Sequence, residues 1–159
     1  MPKTKNAYSP QQALARLQNL CSRSEKCIYD IRLKLQQWGI EAIDGEKIIA
    51  ALLESNFVNE KRYVEAYIKE KLAIAKWGQQ KIIRMLKAKQ LPDNLINETL
   101  NTIDCDKYKE RLLELLKKKS LSIKDESAYN RKAKLLRFAL SRGYEYNLVY
   151  ELLSANDFS

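Results

Sequence analysis

A ten-residue phrase occurs three times in this chain of 159 residues, and it constrains the fold more than any other feature. The three copies are IRLKLQQWGI from Ile31, IIRMLKAKQL from Ile82 and LLRFALSRGY from Leu135. Each has an apolar residue followed by another four positions later, then polar or basic residues, and closes on Gly or Gln and an apolar residue. A spacing of four is typical of one helix face, and a period of about 50 residues indicates a tandem repeat.

Apolar stripes before and after each copy predict two further helices per repeat. The chain is therefore predicted to be all-α, with three tandem three-helix repeats that form an elongated, curved array. The predicted domains are residues 9–57, 58–103 and 104–156. One three-helix module of this size buries little surface, so stacking of modules is expected to supply the shared core. The alternative is a single nine-helix bundle in which the similarity is accidental.

Capping residues predict where several helices begin and end. Ser9, followed by Pro10 and Gln12, is typical of a capped helix start. The other expected boundaries are a second helix from Ser22 or Ser24 to Gly39, a third from Asp44, a fourth from Asn59 to Trp77 with Gly78 as its stop, a fifth ending near Leu91, a sixth from Pro92, and a flexible loop at Lys117–Ser127.

Aromatic residues at helical spacing are interpreted as core rather than as base-stacking platforms. These residues are Trp38, Tyr63, Tyr67 and Tyr129. On the eighth helix, Tyr129 is expected to continue into an inward stripe through Ala133, Leu136 and Leu140.

Composition excludes several function classes. Histidine is absent, and the sequence contains neither GxxxxGK[ST] nor GxGxxG, so no catalytic constellation, metal site or cofactor is expected. Cys21, Cys27 and Cys105 form no CxxC pair and are interpreted as reduced, buried thiols. The N-terminus lacks a secretory pattern and no window resembles a transmembrane helix, which favours a cytoplasmic protein without a membrane partner.

The net charge of +9 is concentrated in two stretches. Residues 61–91 carry 9 Lys/Arg against 2 Asp/Glu, and residues 104–143 carry 12 against 6, whereas residues 144–159 carry 3 acidic residues and no basic one. Such an excess is typical of a surface that binds a polyanion. The binding candidates are Arg62, Lys69, Lys76, Lys81, Arg84, Lys87, Lys117, Lys118, Lys119, Arg131, Lys134, Arg137 and Arg142.

The order of these motifs resembles the RecX family of bacterial regulators. VNEKRY (58–63) is similar to the family's apolar residue, two acidic or amide positions, and arginine followed by an aromatic residue. GQQKIIRMLKAKQL (78–91) is similar to its Gly, Ile and Leu at four-residue steps before a Lys-Gly-apolar end, and RFALSRGY (137–144) and KLQQWGI (34–40) resemble further segments. Asn59, Gln90 and Ala139 depart from the family's usual Asp, Gly and Leu.

This resemblance, which runs from about Leu14 to Leu153, implies a function as well as a fold. It implies binding to the RecA–DNA filament and modulation, above all inhibition, of its ATPase and strand exchange. Apart from the resemblance, we expect a monomer, and we expect weak, sequence-independent binding to DNA because no base-reading motif is present. An inhibitor needs no chemistry of its own, which agrees with the missing catalytic groups. The alternative is a helical repeat protein that binds nucleic-acid phosphates without RecA, since both functions need a basic surface.

Overall fold

The computed structural model describes residues 8–124 and 127–158, and these residues form nine α-helices and no strand. The helices are α1 (Pro10–Arg23), α2 (Ile28–Gln37), α3 (Ala42–Glu54), α4 (Glu60–Ala73), α5 (Gln79–Ala88), α6 (Asp93–Leu100), α7 (Cys105–Ser120), α8 (Ala128–Ser141) and α9 (Tyr146–Ala155). The predicted all-α class is therefore confirmed. The curved array and the bounds of the three repeats stay predictions.

The chain divides into two compact units. The first contains residues 8–66 together with 89–91, and the second contains residues 67–88 together with 92–158. Throughout the described residues, none of the helices combines the length and apolar character that crossing a bilayer demands.

The first unit packs α1, α2 and α3 around one apolar core. Leu17 of α1, Ile31 and Leu35 of α2, and Leu52 of α3 are almost entirely buried. Full burial of one such side chain stabilises a fold by roughly 1.5–3 kcal/mol. Trp38 is half-buried and packs on the edge of this core, as predicted in part.

The start of the first helix agrees with its prediction, but that of the second does not. The Ser9 hydroxyl accepts from the Gln12 N–H and the Gln12 side chain accepts from the Ser9 N–H, which completes a capping box. The helix then continues to Arg23, past Ser22, and α2 begins only at Ile28. The N–H of its first residue, Ile28, is capped by a residue distant in the chain, because it donates to Glu60 Oε1 at 3.3 Å. Local sequence could not reveal that cap.

The three copies of the repeated phrase end in the same backbone conformation. Gly39, Gln90 and Gly143 have φ angles of 71°, 60° and 95°, in the left-handed region that favours glycine. The apolar residue that follows each of them is buried. Around Gly39 and Gly143 the next N–H donates to the carbonyl five residues back, which is the Schellman pattern of a helix C-terminus. Gln90 thus takes the conformation that the family's usual glycine would take.

The second unit has its core along α7, α8 and α9. Leu112 and Leu116, Leu135 and Ala139, and Val149 form its buried positions on these three helices. Leu135 and Ala139, the apolar pair of the third copy of the phrase, are therefore both core residues. The stripe through Tyr129, Ala133, Leu136 and Leu140 does not face the core as predicted. Tyr129 is 83% exposed, so its predicted core position is wrong.

Other boundaries also differ from their predictions. The third helix begins at Ala42, so Asp44 lies in its first turn, and α4 ends at Ala73 rather than Trp77. Helix α7 extends to Ser120, so residues 117–120 of the predicted flexible loop are helical. Residues 125 and 126 of that loop lie outside the described residues.

The cysteines are free, but they do not share one environment. Cys27 is fully buried, Cys21 is half-buried and Cys105 is exposed. Burial raises the pKa of the Cys27 thiol to about 11, so this residue behaves as a small apolar side chain. The expectation of burial is wrong for Cys105.

Candidate functional site

The segment between α4 and α5 is fastened to the turn between α8 and α9 within the second unit. The Gly78 N–H donates to the Arg142 carbonyl at 2.8 Å, and the Gln80 N–H donates to the Gly143 carbonyl at 3.0 Å. A Cβ at Gly78 would lie 2.3 Å from the carbonyl carbon of Gly143, a distance that no side chain tolerates. Gly78 therefore does not stop α4, as the sequence suggested, but permits two backbones to touch.

Two buried tyrosines secure the same segment. The Tyr144 hydroxyl donates to the Lys76 carbonyl at 3.0 Å. The Tyr108 hydroxyl accepts from the Gln79 N–H at 2.9 Å and donates to the Glu145 carboxylate at 3.0 Å. Burial raises the pKa of Tyr144 to about 12 and that of Tyr108 further, so both stay protonated donors at neutral pH.

Two lysine ammonium groups lie over the indole ring of Trp77 in this segment. The Lys71 Nζ is 4.6 Å from the centroid of the indole ring and the Lys81 Nζ is 4.3 Å from it. Tyr67 packs edge-on against the same ring at 6.4 Å between centroids, and Lys71 lies 5.3 Å from the Tyr67 ring. Cation–π contacts of this kind contribute about 0.5–1 kcal/mol each at exposed sites.

Phe138 on α8 repeats this arrangement. The Lys119 Nζ is 5.0 Å from its ring centroid, and the Arg142 Cζ is 5.1 Å from it. Arg142 is also the residue whose carbonyl accepts from Gly78. The Gly78–Gly143 contact therefore connects the Trp77 group with the Phe138 group.

We call this set the basic–aromatic strip. It comprises Lys71, Trp77, Lys81, Phe138, Lys119 and Arg142, all in the second unit and all half-buried. Its four cations are held over aromatic rings, so less side-chain entropy remains to be lost when they bind an anion. The strip can therefore bind phosphates of a polyanion.

The other predicted candidates differ in how they are placed. Arg84 and Lys87 are exposed on α5, and the Lys87 Nζ lies 3.7 Å from Asp93 Oδ1, an exposed pair of little energetic weight. Lys76 is half-buried at a φ of 55°. The remaining exposed candidates are Lys69, Lys117, Lys118, Lys134 and Arg137.

Two predicted arginines have guanidinium groups that bind within their own unit. The Arg62 Nε donates to Glu25 Oε1 at 2.9 Å and its Nη2 to the Asn56 carbonyl at 3.0 Å. The Arg131 guanidinium donates to the carbonyls of Ser120, Ile123 and Phe158 at 2.7–3.1 Å. Their contacts are those of structural anchors, which makes them weaker candidates for a binding surface.

Sequence reasoning missed Trp77, Phe138 and Lys71 as site residues. For one pair a signal was present, because Phe138 on α8 precedes Arg142, the residue that ends this helix, by four residues. Trp77 also precedes Lys81 by four residues, but it lies before the start of α5, so helical spacing does not predict that contact. An aromatic residue four positions before a cation is a spacing at which side chains meet on a helix. The pairing of Lys119 with Phe138 depends on tertiary packing and has no such local signal.

A second polar cluster stabilises the first unit. The Lys89 Nζ donates to both carboxylate oxygens of Asp30 at 3.0 and 3.1 Å and to the Tyr63 hydroxyl at 2.9 Å. Burial alone would lower the Lys89 pKa, but these hydrogen bonds outweigh it and raise the pKa above its ordinary value. Lys89 is therefore charged and partnered inside the fold.

Comparison with known proteins agrees with the three-helix pattern. The family model described as RecX, second three-helix domain, matches residues 59–100, and the one described as RecX, third three-helix domain, matches residues 106–153. Together the two matches span more than half of the chain. The chain belongs to the RecX family.

Individual relatives support this membership. The chain is 33% identical to the regulatory protein RecX of Clostridium botulinum (strain Eklund 17B / Type B) over 82% of its own length, and 30% identical to that of Clostridium acetobutylicum over 89%. These matches span 62% and 67% of the two relatives. The chain thus corresponds to about three fifths of the first of them.

Solved structures of the family have the same fold. A RecX crystal structure from Lactobacillus salivarius aligns with a TM-score of 0.79 and 20% identity, covering 92% of this chain and 95% of that one. A second crystal structure of a regulatory protein RecX aligns with a TM-score of 0.82 and 18% identity, covering 92% and 72%. At these identities the likeness concerns the fold alone.

Proposed function

We propose that this chain is a regulator that binds the RecA–DNA filament and lowers its ATPase and strand-exchange activity. The observation that carries the proposal is its membership of a family whose relatives are named regulatory proteins. Among the features of the chain itself, the basic–aromatic strip gives the strongest support. It provides cations that are already positioned for a polyanion.

The proposed mechanism is occupation of the filament rather than chemistry. A recombinase filament presents a helical groove that contains DNA, and a chain of three repeats with bounds at 9–57, 58–103 and 104–156 could contact several protomers along it. Several weak contacts on one chain add through effective concentration. The protein would act as a cytoplasmic monomer, without a cofactor and without enzymatic activity.

The test is a titration of the protein into RecA that hydrolyses ATP on single-stranded DNA. We expect hydrolysis to fall as the protein is added, because bound filament is blocked from its normal cycle. The variant with Lys81→Glu, Arg84→Glu and Lys87→Glu is expected to need at least about ten times more protein for the same inhibition. These residues lie on the strip or on the exposed side of α5.

A matched control carries the same change in charge on the first unit. Arg23→Glu, Lys47→Glu and Lys61→Glu alter three exposed cations outside the proposed surface, and we expect inhibition close to that of the unchanged protein. Melting temperatures of both variants verify that they are folded. If RecA hydrolyses ATP at an unchanged rate with a saturating amount of the unmodified protein, the proposed function is wrong. If both variants lose the same amount of inhibition, the strip is not the binding surface.

A second candidate function is binding to nucleic acid without RecA. The observation that favours it is the grouping of four cations in the strip, since nucleic-acid phosphates are bound by such groups of cations. In that case the protein would compete for the DNA, and inhibition would disappear when DNA is added in excess over RecA. Inhibition that persists in excess DNA supports the filament as the target.

A further inference from the structure

A groove between α8 and α9 has an apolar floor and lies outside the basic–aromatic strip. It has a volume of about 320 Å³, at the lower end of the range for ligand pockets. Its apolar lining comes from Ala133 and Leu136 of α8 and Leu153 of α9. Leu136 and Phe138 are two positions apart on α8, about 200° around the helix, so the groove and the strip lie on different faces.

Three tyrosines surround this groove and are unusually exposed. Tyr129, Tyr146 and Tyr150 are 83%, 52% and 58% exposed. The Tyr146 and Tyr150 rings stack at 6.1 Å between centroids and 15° between planes. Tyrosine is enriched at protein interfaces because it combines a rigid apolar ring with a polar hydroxyl. An apolar floor with such a rim fits an inserted side chain.

The charges around the groove decide between two kinds of occupant. Among the described residues that line it, Lys132 is the only charged one. The segment 146–159, which begins with α9, carries Glu151 and Asp157 and no basic residue. A nucleic acid would bring a row of phosphates towards this acidic segment, whereas a peptide needs only one carboxylate to pair with Lys132. The observations therefore favour a protein segment.

We propose that this tyrosine groove, lined by Tyr129, Tyr146, Tyr150 and Lys132 over its apolar floor, receives an apolar side chain of a protein partner. The side chain belongs to a segment with a neighbouring carboxylate, which pairs with Lys132. This inference rests on the proposed function, because the partner is taken to be a protomer of the recombinase filament. The strip then contacts phosphates while the groove contacts protein.

The experiment measures binding to the RecA–DNA filament and to the same naked single-stranded DNA. We expect Tyr146→Ala with Tyr150→Ala to weaken filament binding about tenfold or more, since truncation of buried interface tyrosines has effects of this size. We expect Lys132→Glu to weaken it as well. Affinity for naked DNA is expected to stay unchanged in both variants.

Matched controls change similar side chains away from the groove. Leu121→Ala truncates a side chain that is 88% exposed, and Lys124→Glu makes the same charge change as Lys132→Glu on an exposed lysine. Tyr150→Phe keeps the ring and is expected to bind the filament almost normally. Melting temperatures confirm that the variants are folded.

Each other result overturns the inference in a recognisable way. If the tyrosine variant loses affinity for naked DNA and filament equally, the occupant is a nucleobase. If it binds the filament like the unchanged protein, the groove is not an interface, and the proposed function is unaffected. If the unchanged protein does not bind the filament at all, the proposed function fails and this inference fails with it.

Discussion

At the residue scale, local sequence predicts well how the first copy of the repeated phrase ends its helix. Gly39 was expected to end its helix, and its φ of 71° is the left-handed conformation in which helices commonly end. Gln90 departs from the family's glycine and still has a φ of 60°, although a side chain in this region is strained. Burial of the following Leu91 and the turn geometry evidently outweigh that strain.

Gly78 shows what a local pattern could not predict. The sequence places it after an apolar helix, where a stop is a reasonable interpretation. Its partner in the structure is Gly143, 65 residues further along the chain, and no local rule connects the two. The need for glycine at position 78 comes from this tertiary contact, whereas Gly143 also has the left-handed φ of a helix end.

Replacement of either glycine by alanine is expected to destabilise the protein. Gly78→Ala places a Cβ within 2.4 Å of the backbone of Gly143 and Tyr144, and Gly143→Ala adds the strain of a φ of 95° to a clash with Lys81. We expect each to lower the free energy of unfolding by at least roughly 1–3 kcal/mol, measured by urea denaturation.

Gly45→Ala is the control for both substitutions. Gly45 lies within α3, and its added Cβ would meet Leu35 Cδ1 at an ordinary 3.6 Å. Because alanine favours the helix, we expect a gain of about 0.5–1 kcal/mol. Unfolding midpoints for Gly78→Ala and Gly143→Ala that match the unchanged protein would contradict the close contact.

At the element scale, periodicity identified the helices but not always the face that each one buries. Helix α8 has two apolar stripes, one through Leu135 and Ala139 and the other through Tyr129 and Leu136. Both have helical spacing, so sequence alone does not decide which faces the core. The structure buries the first and leaves the second to form the tyrosine groove.

Basic residues on α8 were subject to the same ambiguity. Arg131, Lys134 and Arg137 recur every three residues, and all three were predicted to be binding residues. In the structure Lys134 and Arg137 are exposed, whereas the Arg131 guanidinium binds carbonyls at the end of α7 and near the end of the described chain. Helix ends leave such carbonyls without partners inside the helix, and Arg131 supplies donors to them.

Arg131→Gln is therefore expected to affect stability, and Arg137→Gln to affect binding. Loss of hydrogen bonds from a charged donor to three carbonyls is expected to lower the free energy of unfolding by about 2–3 kcal/mol. The exposed Arg137→Gln change is expected to alter it by no more than about 0.5 kcal/mol. Thermal unfolding of the two variants side by side measures the difference, and equal melting temperatures would return Arg131 to the group of binding residues.

At the scale of the whole molecule, the sequence predicted the all-helical class and the family. It also located the charge, since most of the candidate cations fall in the second unit. It did not predict the basic–aromatic strip, because the strip depends on the contact between Gly78 and Gly143 and on Lys119 packing over Phe138. Residues that are distant in the chain form it, so it is a property of the tertiary fold.

The central claim is that the chain binds a recombinase filament and does not merely bind DNA. If phosphates supply the affinity for DNA, the logarithm of that affinity falls with the logarithm of salt by about 0.7–0.9 per phosphate contacted. A filament also offers protein surfaces, whose apolar contacts are screened less by salt. The two targets are therefore expected to differ in their response to salt.

The most direct test is one salt series in which binding to naked single-stranded DNA and to the RecA filament on the same DNA is measured in parallel. We predict weak binding with a steep slope on naked DNA, and tighter binding with a shallower slope on the filament. Equal slopes and equal affinities on the two targets would contradict the account and leave only a protein that binds nucleic-acid phosphates.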